Sequence, residues 1–162
     1  MVSKNGCFIV FEGIDGSGKS TQISLLKEHI EEHSINCMTT MEPSNGPIGT
    51  LLRQFLSGRI KGEETTLTAL FAADRLDHLN NPVNGICKLL EDGIAVISDR
   101  YVFSNYAYQS VSVPLEWIMK CNEMANETVR PDCHIFIDVA PETAMDRVSK
   151  GRHQTDIYET LD

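Results

Sequence analysis

One glycine-rich stretch limits this chain's fold more than any other: Gly13-Ile14-Asp15-Gly16-Ser17-Gly18-Lys19-Ser20. A glycine, four residues and then Gly-Lys-Ser is the spacing of a phosphate-cradling loop. The apolar run Cys7-Phe8-Ile9-Val10-Phe11, of strand length, precedes it, and a helical pattern over 19–33 follows. Strand, glycine-rich turn and helix are the context this spacing requires. The glycines let successive backbone N–H groups point into one concavity. The helix N-terminus adds partial positive charge there. Lys19 is suited to reach the β- and γ-phosphates of a nucleotide, and Ser20 to hold Mg²⁺.

Composition narrows the partners. With 41% apolar and 23% charged among 162 residues, the chain is expected to fold as one domain with its own core. Its formal charge of −9 argues against nucleic-acid binding, which needs a basic surface. An anionic ligand must therefore be captured by a local cluster of the arginines and lysines. No run approaches the roughly 18 apolar residues of a membrane span. The first apolar run is too short for a signal peptide. Cysteines 7, 37, 87, 121 and 133 are scattered without C-x-x-C spacing. They read as buried thiols in a reducing compartment, by default the cytoplasm.

Strand and helix patterns alternate, which implies an α/β fold whose parallel sheet is covered on both faces. In the helix over 19–33, Ile23, Leu26 and Ile30 form a core-facing stripe. Its end, His29-Ile30-Glu31-Glu32-His33, matches the H-x-x-E-H zinc spacing. It closes a helix already committed to phosphate binding, so it reads better as a solvated end. A strand over 36–41 ends at Glu42-Pro43-Ser44-Asn45-Gly46-Pro47, dense in turn formers. Ligands sit beyond the C-terminal ends of parallel strands. Glu42 is thus either a ligand-edge residue or a plain turn carboxylate.

Pro47 begins a short helix carrying Ile48, Leu51, Leu52, Arg53 and Phe55. A helix over 63–79 sets Phe71 and Arg75 on one face. Phe71 also falls in a core stripe with Leu67, Leu70 and Leu76, so by itself it reads as core. Pro82 is expected to open another helix, through Ile86, Leu89 and Leu90 to Gly93. The strand Ile94-Ala95-Val96-Ile97-Ser98 closes with Asp99-Arg100-Tyr101. There Asp99 suits the Mg²⁺ side of a nucleotide, and Arg100 is a rigid fork for a phosphate dianion. After the polar and aromatic stretch 104–109, Pro114 is expected to open a helix with Leu115, Ile118 and Met119 facing inward and Trp117 beside them. A strand over 133–139 and a helix over 141–151 follow. Lys150, Arg152 and His153 then form either a solvated helix end or a lid.

The assembled residues resemble the thymidylate kinase family. Phe11-Glu12-Gly13 through Ser20-Thr21 is similar to its phosphate loop, and Glu42-Pro43 to its Glu-Pro turn. Leu70-Phe71-Ala72-Ala73-Asp74-Arg75 with His78 resembles its substrate helix. Asp99-Arg100-Tyr101 with Ser104 and Ala107-Tyr108-Gln109 resembles its Asp-Arg-Tyr segment, and Asp156-x-Tyr158-Glu159 the stretch after its lid. The resemblance implies a three-layer αβα P-loop kinase fold and transfer of the ATP γ-phosphoryl to dTMP, giving dTDP for dTTP biosynthesis. It also implies Mg²⁺ as cofactor and a cytoplasmic homodimer.

Site roles follow from the same resemblance. Gly13, Ile14, Asp15, Gly16, Ser17, Gly18, Lys19, Ser20 and Thr21 would hold ATP, with Ser20 and Asp99 serving Mg²⁺. Asp15 would contact the sugar 3′-hydroxyl. Arg53 and Arg100 would grip the monophosphate. Phe71 would stack on thymine, which replaces its core reading. Arg75, Gln109 and Asn105 would read the base edge. Tyr108 would lie near the deoxyribose, and Glu42 joins this set. Lys19, Arg100, Asp99 and Arg152 are the catalytic candidates, with Arg152 favoured over Arg147 and Lys150 as the lid cation.

Two departures qualify the likeness. Some family members carry an arginine inside the phosphate loop, where this chain has Gly16-Ser17. It therefore resembles the branch whose catalytic arginine comes from the lid, here about 148–158. Family members also continue past the position of Asp162 into a fifth strand, so 1–162 reads as one domain that is C-terminally incomplete, with four strands visible. The alternatives are another P-loop nucleotide or deoxynucleoside kinase, or an inactive nucleotide-binding remnant. A GTPase is disfavoured because no N-K-x-D occurs.

Overall fold

A computed structural model describes residues 5–151. The elements run β1 (Phe8–Glu12), α1 (Lys19–Glu32), β2 (Cys37–Met41), α2 (Pro47–Leu56), α3 (Glu64–Asn80), α4 (Ile86–Glu91), β3 (Ala95–Asp99), α5 (Val102–Gln109), α6 (Leu115–Cys121), α7 (Glu123–Thr128), β4 (Cys133–Phe136) and α8 (Pro141–Gly151). All described strands pair in parallel, in the order β2-β3-β1-β4.

The layering follows from the two-residue period of a strand. On β1, Phe8 and Val10 join one core with Leu79 of α3, Leu90 of α4, Val102 of α5 and Ala125 of α7. Phe11 points the other way, into a second core with Ile23, Leu26 and Ile30 of α1. On β3, Val96 belongs to the first core and Ala95 and Ile97 to the second. The central strands are thus apolar on both faces because helices cover both. This is the three-layer αβα arrangement expected from the sequence.

Parallel pairing also aligns the strand ends. Phe11 pairs with Asp99, which pairs with Met41, so the loops after β1, β2 and β3 leave the sheet at one edge. Glu42 N–H donates to the Asp99 carbonyl at 3.0 Å, and Arg100 N–H to the Phe11 carbonyl at 2.8 Å. These bonds carry the parallel ladder one residue beyond the strands.

Several expectations need correction. Pro82 opens no helix. Asn81 takes an extended conformation, its side chain accepts the Val83 and Asn84 N–H groups in a turn, and α4 starts only after Gly85. The stretch 104–109 is helical, within α5, and α7 carries too few apolar residues to be distinguished by periodicity. On α6 only Ile118 is buried, while Leu115, Trp117 and Met119 are 46%, 39% and 50% exposed. A seven-residue helix packed against α3 and α5 on one side has room for little more. The strand expected over 133–139 stops at Phe136. Cys37 and Cys87 are buried thiols, but Cys7 and Cys133 are exposed at strand starts.

Gly49 fixes how α2 sits on the turn after β2. A Cβ there would lie 2.0 Å from the Ser44 carbonyl oxygen. Gly→Ala within a helix ordinarily stabilises by about 0.5–1 kcal/mol. Gly49→Ala is instead expected to destabilise by about 1–3 kcal/mol through overpacking, measured by urea denaturation. A stabilised variant would show that the turn yields freely.

Candidate active site

The phosphate loop joins the end of β1 to the start of α1. Gly16, at φ 78°, needs both its left-handed backbone and its missing side chain, since a Cβ would sit 2.3 Å from the Ala144 carbonyl of α8. Lys19 turns back into the loop, where its Nζ donates to the Gly13 carbonyl at 3.0 Å and the Ile14 carbonyl at 3.1 Å. Its ammonium also lies 3.6 Å from Asp15 and 4.0 Å from Asp99. Burial pushes the Lys19 pKa down and the Arg100 charge adds to this, while Asp99 and Asp15 oppose it.

Ser20 Oγ lies 3.5 Å from Asp99 Oδ2, and the buried Asp99 Oδ1 has no hydrogen-bond partner among the described residues. A hydroxyl and a carboxylate side by side, the carboxylate's buried oxygen accepting no hydrogen bond among the described residues and facing the Lys19 ammonium at 4.0 Å, form a hard-oxygen set that fits Mg²⁺ beside a phosphate.

Arg100 is held in an unusual conformation, φ 74°, which a non-glycine residue adopts only when its surroundings demand it. Those demands are visible. Its N–H is tied to β1, and its carbonyl accepts from Ser98 Oγ at 2.8 Å. Glu12 then secures the helix that follows. Its Oε1 accepts the Tyr101 N–H at 3.0 Å and the Ser104 N–H at 3.4 Å, and its Oε2 accepts Ser104 Oγ at 2.6 Å. Tyr101, the residue before α5, supplies no side-chain cap. Glu12 therefore performs the capping from across the sheet edge, where a carboxylate also suits the helix N-terminus. Burial raises the Glu12 pKa, against the Ser104 and Tyr101 hydrogen bonds and the Arg100 charge. So fixed, Arg100 donates to Ser104 Oγ at 2.9 Å and to Asp15 Oδ1 at 2.7 Å, with its guanidinium 5.2 Å from the centre of the Tyr108 ring.

Two clefts meet at Asp15 and Arg100, which line both. The first gathers the charged and polar side chains of Lys19, Ser20, Arg53, Asp99, Arg100 and Arg147. The second is lined by Phe71, Arg75, Asn105, Tyr108 and Gln109 with Glu42 and Pro43. Phe71 is only half-buried and faces this cleft, so its core reading does not hold.

Arg75 is 1% exposed, with Nε 2.8 Å and Nη2 2.6 Å from the buried Glu42 Oε2. Its Nη1 donates to Asn122 Oδ1. Glu42 is thus a support for Arg75 as well as a cleft residue. The turn that carries Glu42 is pinned twice. Asp74 accepts the Ser44 N–H and Oγ, each at 2.6 Å, and Arg53 Nη1 donates to the Pro43 and Ser44 carbonyls at 3.0 and 2.7 Å. Asn105 and Gln109 are buried one helical turn apart and hydrogen-bonded, and Gln109 Nε2 has no partner among the described residues.

Most of the expected site therefore converges. Ile14 and Thr21 sit at the exposed rim of the loop. Arg152 and the expected lid beyond residue 151 lie outside the described residues. Of the lesser lid candidates, Arg147 Nη1 donates to the Gly16 and Ser17 carbonyls at 3.2 and 3.3 Å, while Lys150 pairs with Asp146 on the surface. Glu12, Asp74 and Asn122 were missed because each acts on backbone or on another side chain far away in sequence. For Glu12 the one available signal was an acid ending an apolar strand. His29 and His33 are exposed, and no cluster of metal-ligating residues occurs among the described residues.

A family model described as thymidylate kinase matches residues 11–162. The thymidylate kinase of Caldicellulosiruptor saccharolyticus is 39% identical over 146 residues, covering 88% of this chain and 69% of the relative. That of Symbiobacterium thermophilum is 41% identical, covering 86% and 66%. A probable thymidylate kinase of Methanocaldococcus jannaschii is 40% identical, covering 96% and 74%. The chain spans about two thirds of the length of these relatives.

The raised Glu12 pKa has a signed consequence. The folded state holds this proton more tightly than the unfolded chain, whose value is near 4.5. The stability from protonated Glu12 is present below that pH and is lost as pH rises through the folded value. Glu12→Gln does not titrate, so wild type should lose stability relative to it as pH climbs from about 4 to about 7. Urea midpoints across that range check this, and the opposite trend would mean that the folded pKa is depressed.

Proposed function

The chain belongs to the thymidylate kinase family, kinases of nucleotide biosynthesis, and from that premise we propose that it transfers the γ-phosphoryl group of ATP to dTMP, giving ADP and dTDP for dTTP synthesis. One observation carries the acceptor reading above all: a phosphate cleft and a cleft with an aromatic wall meet at Asp15 and Arg100. A nucleoside monophosphate spanning that junction would have its phosphate beside the loop and its base against Phe71.

The division of labour follows from the chemistry. Phosphoryl transfer needs little covalent help, so positioning and charge neutralisation dominate. The loop N–H groups and Lys19 hold the donor phosphates. Arg53 and Arg100 bind the acceptor phosphate, Arg100 as a fork already aimed by Ser104 and Asp15. Ser20 and Asp99 would hold Mg²⁺, which supplies charge neutralisation on the donor phosphates. Arg147 stands ready beside the loop, and Arg152 is the further lid cation. The acceptor oxygen is already ionised near neutral pH, so no strong general base is needed.

On the nucleoside side, the Asp15 carboxylate suits the 3′-hydroxyl. Tyr108, stacked near Arg100, suits exclusion of a 2′-hydroxyl. Arg75 and the Gln109 amide donate toward a base carbonyl, and Glu42 keeps Arg75 in place. We further propose that residues 1–162 belong to one kinase domain with a lid about 148–158, in a cytoplasmic homodimer.

Single-turnover transfer to dTMP, dUMP, AMP and thymidine tests the reading, and preferred transfer to thymidine would sink it. Arg100→Ala should lower kcat/KM for dTMP roughly tenfold to a hundredfold, the loss of charged hydrogen bonds worth about 1.5–3 kcal/mol. Unchanged kinetics would remove Arg100 from the phosphate site. Phe71→Ala should raise KM for dTMP with little change for ATP, since base stacking is worth about 1–3 kcal/mol.

A further inference from the structure

Resting on the dTMP reading above, we propose that Asn122, which does not line the cleft, sets the hydrogen-bonding polarity the cleft presents to the base. It is a positioning residue that selects a keto over an amino edge.

Asn122 lies between α6 and α7 and is 0% exposed. Two neighbours dictate how its amide points. Arg75 Nη1 can only donate, so Asn122 must turn Oδ1 toward it. The Ile118 carbonyl, 2.8 Å from Nδ2, can only accept, which requires the same orientation independently. The remaining Nδ2 proton goes to Asn105, which must receive it on Oδ1, at 2.8 Å. Asn105 then has only Nδ2 to offer Gln109, which must accept on Oε1, at 2.8 Å. Gln109 is left with Nε2 as its uncommitted group, a buried donor without a partner among the described residues, on a side chain that lines the cleft and is 1% exposed.

Each amide is therefore fixed by the one before it, and the last presents a donor. A pyrimidine with a 4-keto oxygen accepts that proton. A 4-amino group cannot, and it would leave two buried donors facing each other unpaired, a mismatch of the kind that gives strong discrimination.

Asn122→Asp reverses the relay. A carboxylate still accepts from Arg75 but cannot donate to Asn105. The Asn105 amide must turn to donate, Gln109 Nε2 is then taken by Asn105 Oδ1, and Gln109 Oε1 faces the cleft. Calorimetric Kd values for dTMP and dCMP, read beside steady-state kinetics with each, test this. Preference for dTMP over dCMP should fall at least tenfold in Kd and KM, with KM for ATP changed less than twofold. Asn122→Ala, which frees the Asn105 amide, should weaken dTMP binding without improving dCMP binding, and it serves as the second variant if the first does not fold.

A folded variant with unchanged preference overturns the proposal. So does a parallel loss of ATP and dTMP affinity, which a merely structural role would produce. Wild-type discrimination in binding without turnover would sink the kinase reading alone and leave the relay standing.

Discussion

The carboxylate of Glu12, buried where the central strand ends, holds the site together. Desolvation works against its charge, and the structure compensates with the Tyr101 and Ser104 hydrogen bonds. Those bonds seat the start of α5 against β1. Ser104, so held, is also a partner of the Arg100 guanidinium. One buried acid thus connects the sheet, the helix and the cation aimed at the junction of the clefts. Strain at Arg100 persists because bonds on both sides of it define its path.

A second buried charge organises the other cleft by the same logic. Arg75 could not be buried unpaired. Glu42 and Asn122 engage it from opposite sides, and the Tyr101 ring lies 5.2 Å away. These partners come from the turn after β2, from the α6–α7 junction and from the end of β3. Burying one guanidinium therefore fastens several parts of the chain around the aromatic wall. The acidic chain concentrates positive charge locally. Lys19, Arg53, Arg100 and Arg147 line one cleft although the formal net charge is −9.

Much of this was legible in the residues. The phosphate loop announced itself because its chemistry requires consecutive positions, and the two cores followed from two-residue and helical periods. Family resemblance then brought Phe71 out of the core, where periodicity had put it. Periodicity could not separate these readings, since a ring facing a cleft and a ring facing a core occupy the same helical stripe. Leu115, Trp117 and Met119 failed in the opposite sense. Their apolar character suggested burial, but α6 presents only one side to its neighbours.

The sequence by itself determined the strand–loop–helix unit, the parallel αβα layering and the glycine-rich loop that carries Lys19 and Ser20. Each depends on local spacing, which the chain displays directly. Only the tertiary structure decided which polar groups are committed to one another. Glu12 with Ser104, Glu42 with Arg75, and Asn122 with Asn105 are separated by 92, 33 and 17 residues. Such pairings are chosen by the need to satisfy buried donors and acceptors after the layers have closed. No periodicity along the chain encodes that need.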